Sequence, residues 1–272
     1  MSAPRDQSAD APSRTLRTRL GGLAANLFDR TRPLRAAALN LVYPPSCMAC
    51  RGAVTAGDAL CPACWNGVRF IERPYCERLG TPFAQDLGPG LISPEAMASP
   101  PVYNRARAVA RFEDGAARQM VHRLKYSDRL EMAKPMGVWM ARAGAELLHD
   151  AHMLIAVPLH RQRMWARKFN QAAALANSIS EISGVPARPL LLRRVKNTAS
   201  QISMSRSARA ENMQGAFRVR EEDKLWLTDQ NIVLVDDVLT SGATVNAAAR
   251  ALFRGGAARV DVLVFARVVT GT

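Results

Sequence analysis

IVLVDDVLTSGAT, at residues 232–244, is the segment that decides the fold. Its four leading apolar residues indicate a buried strand of a parallel sheet. The loop that follows then lies at the carboxyl end of that strand, where α/β folds bind their ligands. Asp236 and Asp237 stand beside this loop, and paired carboxylates next to hydroxyl and amide groups suit a phosphorylated ribose. The alternative is an ordinary strand–turn–helix, in which the two aspartates supply only turn chemistry.

The loop itself has the features of a phosphate site. Its residues are Thr240, Ser241, Gly242, Ala243 and Thr244. A helix predicted from about Ala243 presents free N–H groups and the positive end of its dipole to the loop. Gly242 permits a positive φ and a close approach of the backbone to a ligand.

Strand-like and helix-like segments alternate from Val102 onward. This alternation predicts an α/β domain, a parallel sheet flanked by helices on both faces. The predicted strands are Ala106–Phe112, Met153–Val157, Leu190–Leu192, Ile232–Val235 and Val260–Ala266. The predicted helices are Ala116–Tyr126, Met132–Leu148, Ala172–Ile182 and residues 243–254. We expect the polar, Arg- and Ser-rich residues 198–213 to form a long mobile segment.

Composition divides the chain of 272 residues into four parts. Residues 1–42 are a basic arm, predicted to be disordered at first and then helical. Residues 43–82 carry the cysteines, residues 83–101 form a Gly-, Pro- and Ser-rich linker, and residues 102–272 form the α/β domain. The helix of the arm is expected to pack on its own protein; a membrane surface or nucleic acid is the alternative.

The cysteines predict a small metal module. Two CxxC pairs, with ten residues between them, are formed by Cys47, Cys50, Cys61 and Cys64. Four thiolates make a closed tetrahedral zinc site, which has no position for a catalytic water. A redox role for one pair is the alternative. The remaining cysteine, Cys76, is predicted to be a buried free thiol.

The charge of the chain limits its partners. A formal net charge of +14 and a pI near 10.6 suit phosphate or nucleic-acid partners, although a solvated basic face is the alternative. No apolar run approaches the roughly 18 residues of a membrane span. The first residues lack the order of a signal peptide, so a cytoplasmic protein is expected.

Residues 232–244 resemble the signature of type I phosphoribosyltransferases, which bind 5-phosphoribosyl-1-pyrophosphate (PRPP). By this resemblance, Asp236 and Asp237 contact the 2′- and 3′-hydroxyls of the ribose, and the loop Thr240–Thr244 holds the 5′-phosphate. Enzymes that salvage 6-oxopurines carry an aspartate where this chain has Thr240. Hypoxanthine and guanine are therefore not expected as acceptors.

The cysteine pairs, the segment PYCERLGTP at residues 74–82 and the PRPP motif together resemble the ComF family. Its members join an N-terminal double zinc ribbon to a phosphoribosyltransferase domain. The segments HRLKY (122–126), VPLHR (157–161) and RKFNQ (167–171) also resemble the family. The second zinc site is expected to be lost, because Leu79 stands at a ligand position and no later cysteine follows. One structural Zn²⁺ is therefore expected.

The resemblance also implies the remaining site residues. The pyrophosphate loop comprises Leu159, His160 and Arg161. The flexible loop carries Arg194, Thr198, Gln201, Arg209 and Asn212. Arg209, Asp236 and Asp237 are the implied catalytic residues, with Mg²⁺ bound together with PRPP.

Two functions are compatible with this sequence. The first is transfer of a phosphoribosyl group from PRPP to a nitrogenous acceptor, with release of pyrophosphate; the sequence does not specify the acceptor or the oligomeric state. The alternative is a non-catalytic PRPP sensor or DNA-associated factor linked to competence. Aromatic residues make up only 6% of the chain, so stacking platforms for nucleic acid are not evident.

Overall fold

The computed structural model describes residues 44–86, 88–113, 115–126, 130–160, 164, 169–197 and 206–269. The α-helices are α1 (Pro62–Asn66), α2 (Pro94–Ala98), α3 (Ala116–Tyr126), α4 (Ala133–Ala143), α5 (Ala145–Leu148), α6 (Gln171–Ser183), α7 (Arg206–Met213) and α8 (Ala243–Arg254). The strands are β1 (Ala106–Arg111), β2 (Met153–Ala156), β3 (Arg193–Arg194), β4 (Phe217–Arg218), β5 (Asn231–Leu239) and β6 (Arg259–Arg267). Short 3-10 helices span Leu130–Met132 and Glu221–Trp226. The basic arm at residues 1–42 lies outside the described residues.

A parallel sheet forms the centre of the fold. Its strands follow the order β1-β6-β5-β2. Helices α3, α4 and α6 cover one face of the sheet, and α8 covers the other. Strands that are buried on both faces need near-continuous apolar runs, and β5 and β6 have them. The predicted fold class, a parallel sheet flanked by helices, is confirmed.

The cysteine-bearing segment packs on the free edge of this sheet. Phe70 forms an antiparallel bridge with Ala110 of β1, and the Ile71 N–H donates to the carbonyl of Val109 at 2.9 Å. An exposed edge strand is an open template for pairing with another chain. The segment therefore satisfies the backbone of β1 and belongs to the same packed body as the sheet.

Several elements differ from their predicted bounds. The predicted helix Met132–Leu148 is divided at Gly144, where an added Cβ would lie 2.7 Å from both methyl groups of Leu263. This close approach of α4 and β6 excludes a side chain, and the chain turns there. The strand predicted at Leu190–Leu192 lies further along, at β3, which pairs with β4.

Two further differences concern the site. The central strand β5 continues to Leu239, so Asp236 and Asp237 lie within the strand rather than after it. The segment 198–213, expected to be mobile throughout, contains α7 at Arg206–Met213, which packs on α8. Apolar contact with α8 stabilises this helix, although its sequence is mostly polar.

Candidate functional site

Asp236 and Asp237 form a carboxylate pair near the end of β5. The Asp237 N–H donates to Asp236 Oδ1 at 2.9 Å. Lys125, from the last turn of α3, places its Nζ 2.8 Å from Asp237 Oδ2. Burial, together with the charge of Asp237, raises the pKa of Asp236 to about 8. Asp236 is therefore largely protonated at neutral pH in the unliganded protein, and it needs donors or a cation to ionise.

The loop after β5 leaves backbone donors available. Gly242 has φ +79°, and no side chain caps the first turn of α8. The Ser241 hydroxyl is buried and has no hydrogen-bond partner within the described part of the chain. Uncapped N–H groups at the start of a 12-residue helix favour an anion. The loop Thr240–Thr244 is therefore shaped as the sequence predicts, between the carboxylate pair and α8.

The structure brings part of the predicted pyrophosphate loop to the same edge of the sheet. Leu159 and His160 follow β2, the strand beside β5, and both are half-buried. The Asn170 side chain accepts from the Ala172 N–H at 3.1 Å and donates to the carbonyl of Val157, so it joins this segment to the start of α6. Arg161 lies outside the described residues.

The flexible-loop residues are divided between two elements. Arg194 lies in β3, with its guanidinium 5.7 Å from the ring centre of Phe217. Arg209 and Asn212 lie on α7, and Arg209 lines a cavity of about 1020 Å³ together with the loop after β5. Thr198 and Gln201 lie outside the described residues. Of this predicted set, Arg209 is the residue that lines the same cavity as the loop after β5 among the described residues.

The four predicted zinc ligands meet at one point. The Sγ atoms of Cys47, Cys50, Cys61 and Cys64 all lie within 4.8 Å of one another. Cys50 Sγ and Cys61 Sγ are 3.7 Å apart, close to the roughly 3.8 Å edge of a tetrahedron with Zn–S bonds of about 2.3 Å. Burial and the neighbouring thiols raise the pKa of Cys64. Ionised thiols this close together repel one another, and a divalent cation would neutralise their charge. The donor set therefore fits a closed zinc site.

Comparison with known proteins finds a matching domain model for each of the two parts of the chain that carry these residues. A double zinc ribbon domain matches residues 38–95, and a phosphoribosyl transferase domain matches residues 170–272. The chain is 32% identical, over 237 residues, to the DNA utilization protein YhgH of Salmonella typhimurium; the match covers 84% of this chain and 100% of that protein. The chain belongs to the ComF family.

The chain is also similar to a second curated protein and, more distantly, to a solved structure. Competence protein F of Haemophilus influenzae is 26% identical over 230 residues, which cover 81% of this chain and 96% of that protein. Among solved structures, the glutamine PRPP amidotransferase from B. subtilis, in complex with ADP and GMP, has a TM-score of 0.33 at 17% identity. That match covers 52% of this chain and 30% of the amidotransferase. Within the described residues, no helix combines the length and apolar character needed to cross a membrane.

The second ribbon of this ComF protein keeps the backbone of a zinc knuckle without its ligands. In the first ribbon, the Arg51 N–H donates to the Cys47 carbonyl; in the second, the Gly80 N–H donates to the Cys76 carbonyl. Arg51 and Gly80 have similar positive φ angles, +68° and +65°. The bridges Ser46–Ala53 and Tyr75–Pro82 have the same spacing around the two turns.

The correspondence extends to the helix after each turn. The Cys61 N–H approaches Cys47 Sγ at 3.3 Å, and the Ser93 N–H approaches Cys76 Sγ at 3.2 Å. A proline follows Cys61 and Ser93 alike and begins α1 and α2. The equivalent positions are Cys47 and Cys76, Cys50 and Leu79, Cys61 and Ser93, and Cys64 and Ala96. Three of the four ligand positions are therefore occupied by residues that cannot hold zinc as a thiolate.

Restoring those positions should create a second metal site. We expect wild type to bind one zinc per chain, and the triple variant Leu79→Cys, Ser93→Cys, Ala96→Cys to bind two, because the backbone turn is already present. Elemental analysis of the purified proteins measures both values. Leu79→Cys alone is the control and should stay at one zinc, since two thiols do not complete the shell. Two zinc ions per chain in wild type would contradict the expected loss of the second zinc site.

Helix α3 connects the zinc site to the carboxylate pair. Arg123 is buried, and its Nη1 donates to the carbonyls of Cys47 and Met48, both at 2.8 Å. Lys125, two residues further along, contacts Asp237. One turn of α3 therefore carries both a cation that contacts the first knuckle and a cation that contacts the carboxylate pair.

Sequence reasoning assigned no role to Lys125, Arg123 or the buried Arg267 at the end of β6. The partners of Lys125 and Arg123 lie far away along the chain, so no local spacing identifies them. The available signal for both was their place in the segment HRLKY (122–126), which resembles the family's. Arg267 had no comparable signal.

An aromatic pocket lies between the zinc ribbon and the sheet. The rings of Trp65, Phe70 and Trp139 are in mutual contact, with centroids 5.2–5.8 Å apart. Arg73 and Arg142 line the same cavity of about 430 Å³. Trp65 is 51% exposed. Four of the sixteen aromatic residues therefore line one pocket, which composition did not reveal.

Proposed function

We propose that this ComF protein binds PRPP and transfers its phosphoribosyl group to a nitrogenous acceptor, with release of pyrophosphate. The observation that carries this proposal is the position of the Asp236–Asp237 pair near the end of a strand that leads through a short loop into an uncapped helix N-terminus. The pair can accept hydrogen bonds from two adjacent ribose hydroxyls, and the loop can hold a phosphate. A ribose 5-phosphate presents both kinds of group.

The residues of the site have distinct roles in the proposed reaction. Asp236 and Asp237 orient the ribose, and Lys125 holds Asp237 in place. The loop Thr240–Thr244 binds the 5′-phosphate through its N–H groups. His160 and Arg209 stabilise the negative charge that develops on the leaving pyrophosphate. Such reactions depend mainly on positioning and electrostatics.

Mg²⁺ fits the donor chemistry of this site, because carboxylate and phosphate oxygens are the ligands that it prefers. When bound with PRPP, it supplies neutralising charge at the pyrophosphate. Thr240 stands where a base-contacting aspartate is found in 6-oxopurine salvage enzymes, so the proposed acceptor is another nitrogenous compound. We also place the protein in the cytoplasm, where thiols remain reduced and available to zinc.

Titration calorimetry of PRPP, with and without Mg²⁺, tests the binding step. Replacing both carboxylates, Asp236→Asn with Asp237→Asn, should weaken PRPP binding by more than about a hundredfold, since hydrogen bonds to charged groups contribute roughly 1.5–3 kcal/mol each. The exposed Asp229→Asn is the matched control and should bind as wild type does. Equal affinities in all three proteins would refute PRPP binding at this pair.

Release of pyrophosphate tests the transfer step. Wild type should release pyrophosphate from PRPP with at least one acceptor among ammonia, glutamine and nitrogenous bases, and the double aspartate variant should not. Binding without any release across these acceptors would instead favour a PRPP sensor.

The aromatic pocket favours a second candidate function, binding of single-stranded nucleic acid. Relatives are named for DNA utilization and for competence. Exposed aromatic rings beside arginines provide stacking surfaces for bases and cations for phosphates. This candidate is compatible with the first, because the pocket and the Asp236–Asp237 pair share no residues.

Replacing Trp65 tests this candidate. Trp65→Ala should weaken single-stranded DNA binding by about tenfold or more at low salt, because base stacking contributes roughly 1–3 kcal/mol per base. Fluorescence anisotropy with a labelled oligonucleotide measures the change. The control is Trp226→Ala, which removes an exposed tryptophan, 61% accessible against 51% for Trp65, outside the pocket. If both variants lose the same DNA affinity, or if neither loses any, this pocket is not the DNA-binding site.

A further inference from the structure

The large cavity behind the phosphate loop extends well beyond the loop itself. Its volume is about 1020 Å³, at the upper end of the range for small-molecule sites. One wall is formed by the loop and the start of α8, from Thr240 to Asn246. The opposite wall is formed by the zinc-free second ribbon, including Leu79 and Thr81. The cavity therefore has room for a complete ligand.

The charge lining this cavity is predominantly positive. Arg209, Arg250 and Arg267 contribute cations, against a single carboxylate from Glu95. Glu95 is exposed on α2 and has interactions of its own. The excess of two positive charges, together with the N-terminus of α8, favours an anionic ligand.

Arg267 is the unusual member of this set. It is only 6% exposed, and its Nε and Nη1 are buried without a hydrogen-bond partner within the described residues. Burial lowers the pKa of its guanidinium. The nearby groups of Tyr103, Glu95 and Cys76 oppose this lowering, but none of them accepts a hydrogen bond from Nε or Nη1. Buried donors without an acceptor cost free energy, so Arg267 is expected to gain an acceptor in its working state.

The position of Arg267 indicates where that acceptor binds. Arg267 pairs with Leu239 in the sheet, one residue before the loop begins. Ser241 lines the same cavity, and its hydroxyl is also buried without a hydrogen-bond partner in the described residues. A guanidinium fork and a hydroxyl beside free N–H groups match the several oxygens of a phosphate.

We propose that this cavity binds a phosphate ester, and that Arg267 is the side chain that pairs with its phosphate. The ester is either a phosphoribosyl ligand whose 5′-phosphate lies in the loop, or a separate nucleotide that enters from the ribbon side. The first case rests on the proposed function, and the second does not.

Calorimetry with three probes distinguishes these cases: PRPP, ribose 5-phosphate and adenosine 5′-monophosphate. Arg267→Met should weaken at least one of them by about tenfold or more, whereas Arg254→Met, at the exposed far end of α8, should weaken none. If Arg267→Met weakens the binding of PRPP and ribose 5-phosphate, the ligand is the phosphoribosyl compound. If it weakens only the binding of adenosine 5′-monophosphate, measured in the presence of saturating PRPP, the ligand is a separate nucleotide. Unchanged affinity for all three probes overturns the proposal.

The stability of Arg267→Met in the absence of ligand shows whether Arg267 serves ligand binding or supports the fold. Because two donors of Arg267 are buried without an acceptor in the described residues, Arg267→Met should be at least as stable as wild type in the absence of phosphate compounds, and it should lose their stabilising effect. A melting temperature well below that of wild type would show that Arg267 supports the fold, and would also overturn the proposal. If the ligand is a separate nucleotide, the double aspartate variant should keep its binding here, so failure of the proposed PRPP site is recognised separately.

Discussion

Replacing Asp236 with asparagine should stabilise the unliganded protein while it removes PRPP binding. The folded pKa of Asp236 is about 8, against an ordinary value of 3.8. A carboxyl group whose pKa is raised by folding binds its proton more tightly in the folded state. Its contribution to stability is therefore complete below pH 4, and it is lost as the pH rises from about 4 to about 8.

The size of the gain in stability follows from the shift in the pKa of Asp236. One pKa unit corresponds to about 1.4 kcal/mol, so we expect Asp236→Asn to gain at least about 2 kcal/mol in the free energy of unfolding at pH 9. The gain should shrink at pH 5, where Asp236 is protonated. Urea denaturation at the two pH values measures both quantities. A site that holds a destabilising charge for its ligand commonly shows this opposition between stability and function.

Asp237→Asn is the matched control for this experiment. Asp237 contacts Lys125, so its replacement removes an ion pair and leaves a partly buried ammonium without its partner. We expect this variant to be less stable than wild type at both pH values. The prediction for Asp236 fails if Asp236→Asn is destabilised at pH 9, or if its gain does not depend on pH.

Loss of zinc should reduce PRPP binding as well as the stability of the ribbon. Cys61→Ser removes one of the four thiolates and should abolish zinc retention, since structural zinc supplies much of the folding energy of such modules. The carbonyls of Cys47 and Met48 then lose their fixed positions, and with them the anchor of Arg123. We expect PRPP affinity to fall by about tenfold, within the usual range of coupling between two sites.

Arg123→Met tests the connection itself. This variant keeps all four thiols, so it should retain one zinc and still bind PRPP more weakly than wild type. Elemental analysis and calorimetry on the same preparations measure the two properties together. A zinc-free Cys61→Ser protein that binds PRPP with wild-type affinity would show that α3 does not couple the sites.

The local elements of the site could be predicted because each rests on short-range patterns. The apolar run of β5 needs burial on both faces, and Gly242 followed by a helical segment needs no distant partner to form the phosphate loop. The two CxxC pairs are equally local, because each places two thiols around one turn. Predictions of this kind failed where a distant contact intervened, as at Gly144, which β6 approaches too closely for an uninterrupted helix.

The amino-acid pattern was sufficient for the parallel α/β fold, the strand–loop–helix that carries the carboxylate pair, and the cluster of four cysteines, because periodicity and spacing along the chain carry that information. Only the folded chain decided which groups meet across it. Lys125 reaches Asp237, Arg123 donates to the first knuckle, and Arg267 is buried with two donors unsatisfied by the described residues, in a cavity shared with the zinc-free ribbon. Such contacts depend on how helices and ribbon pack on the sheet, and the energy of that packing comes from residues far apart in sequence.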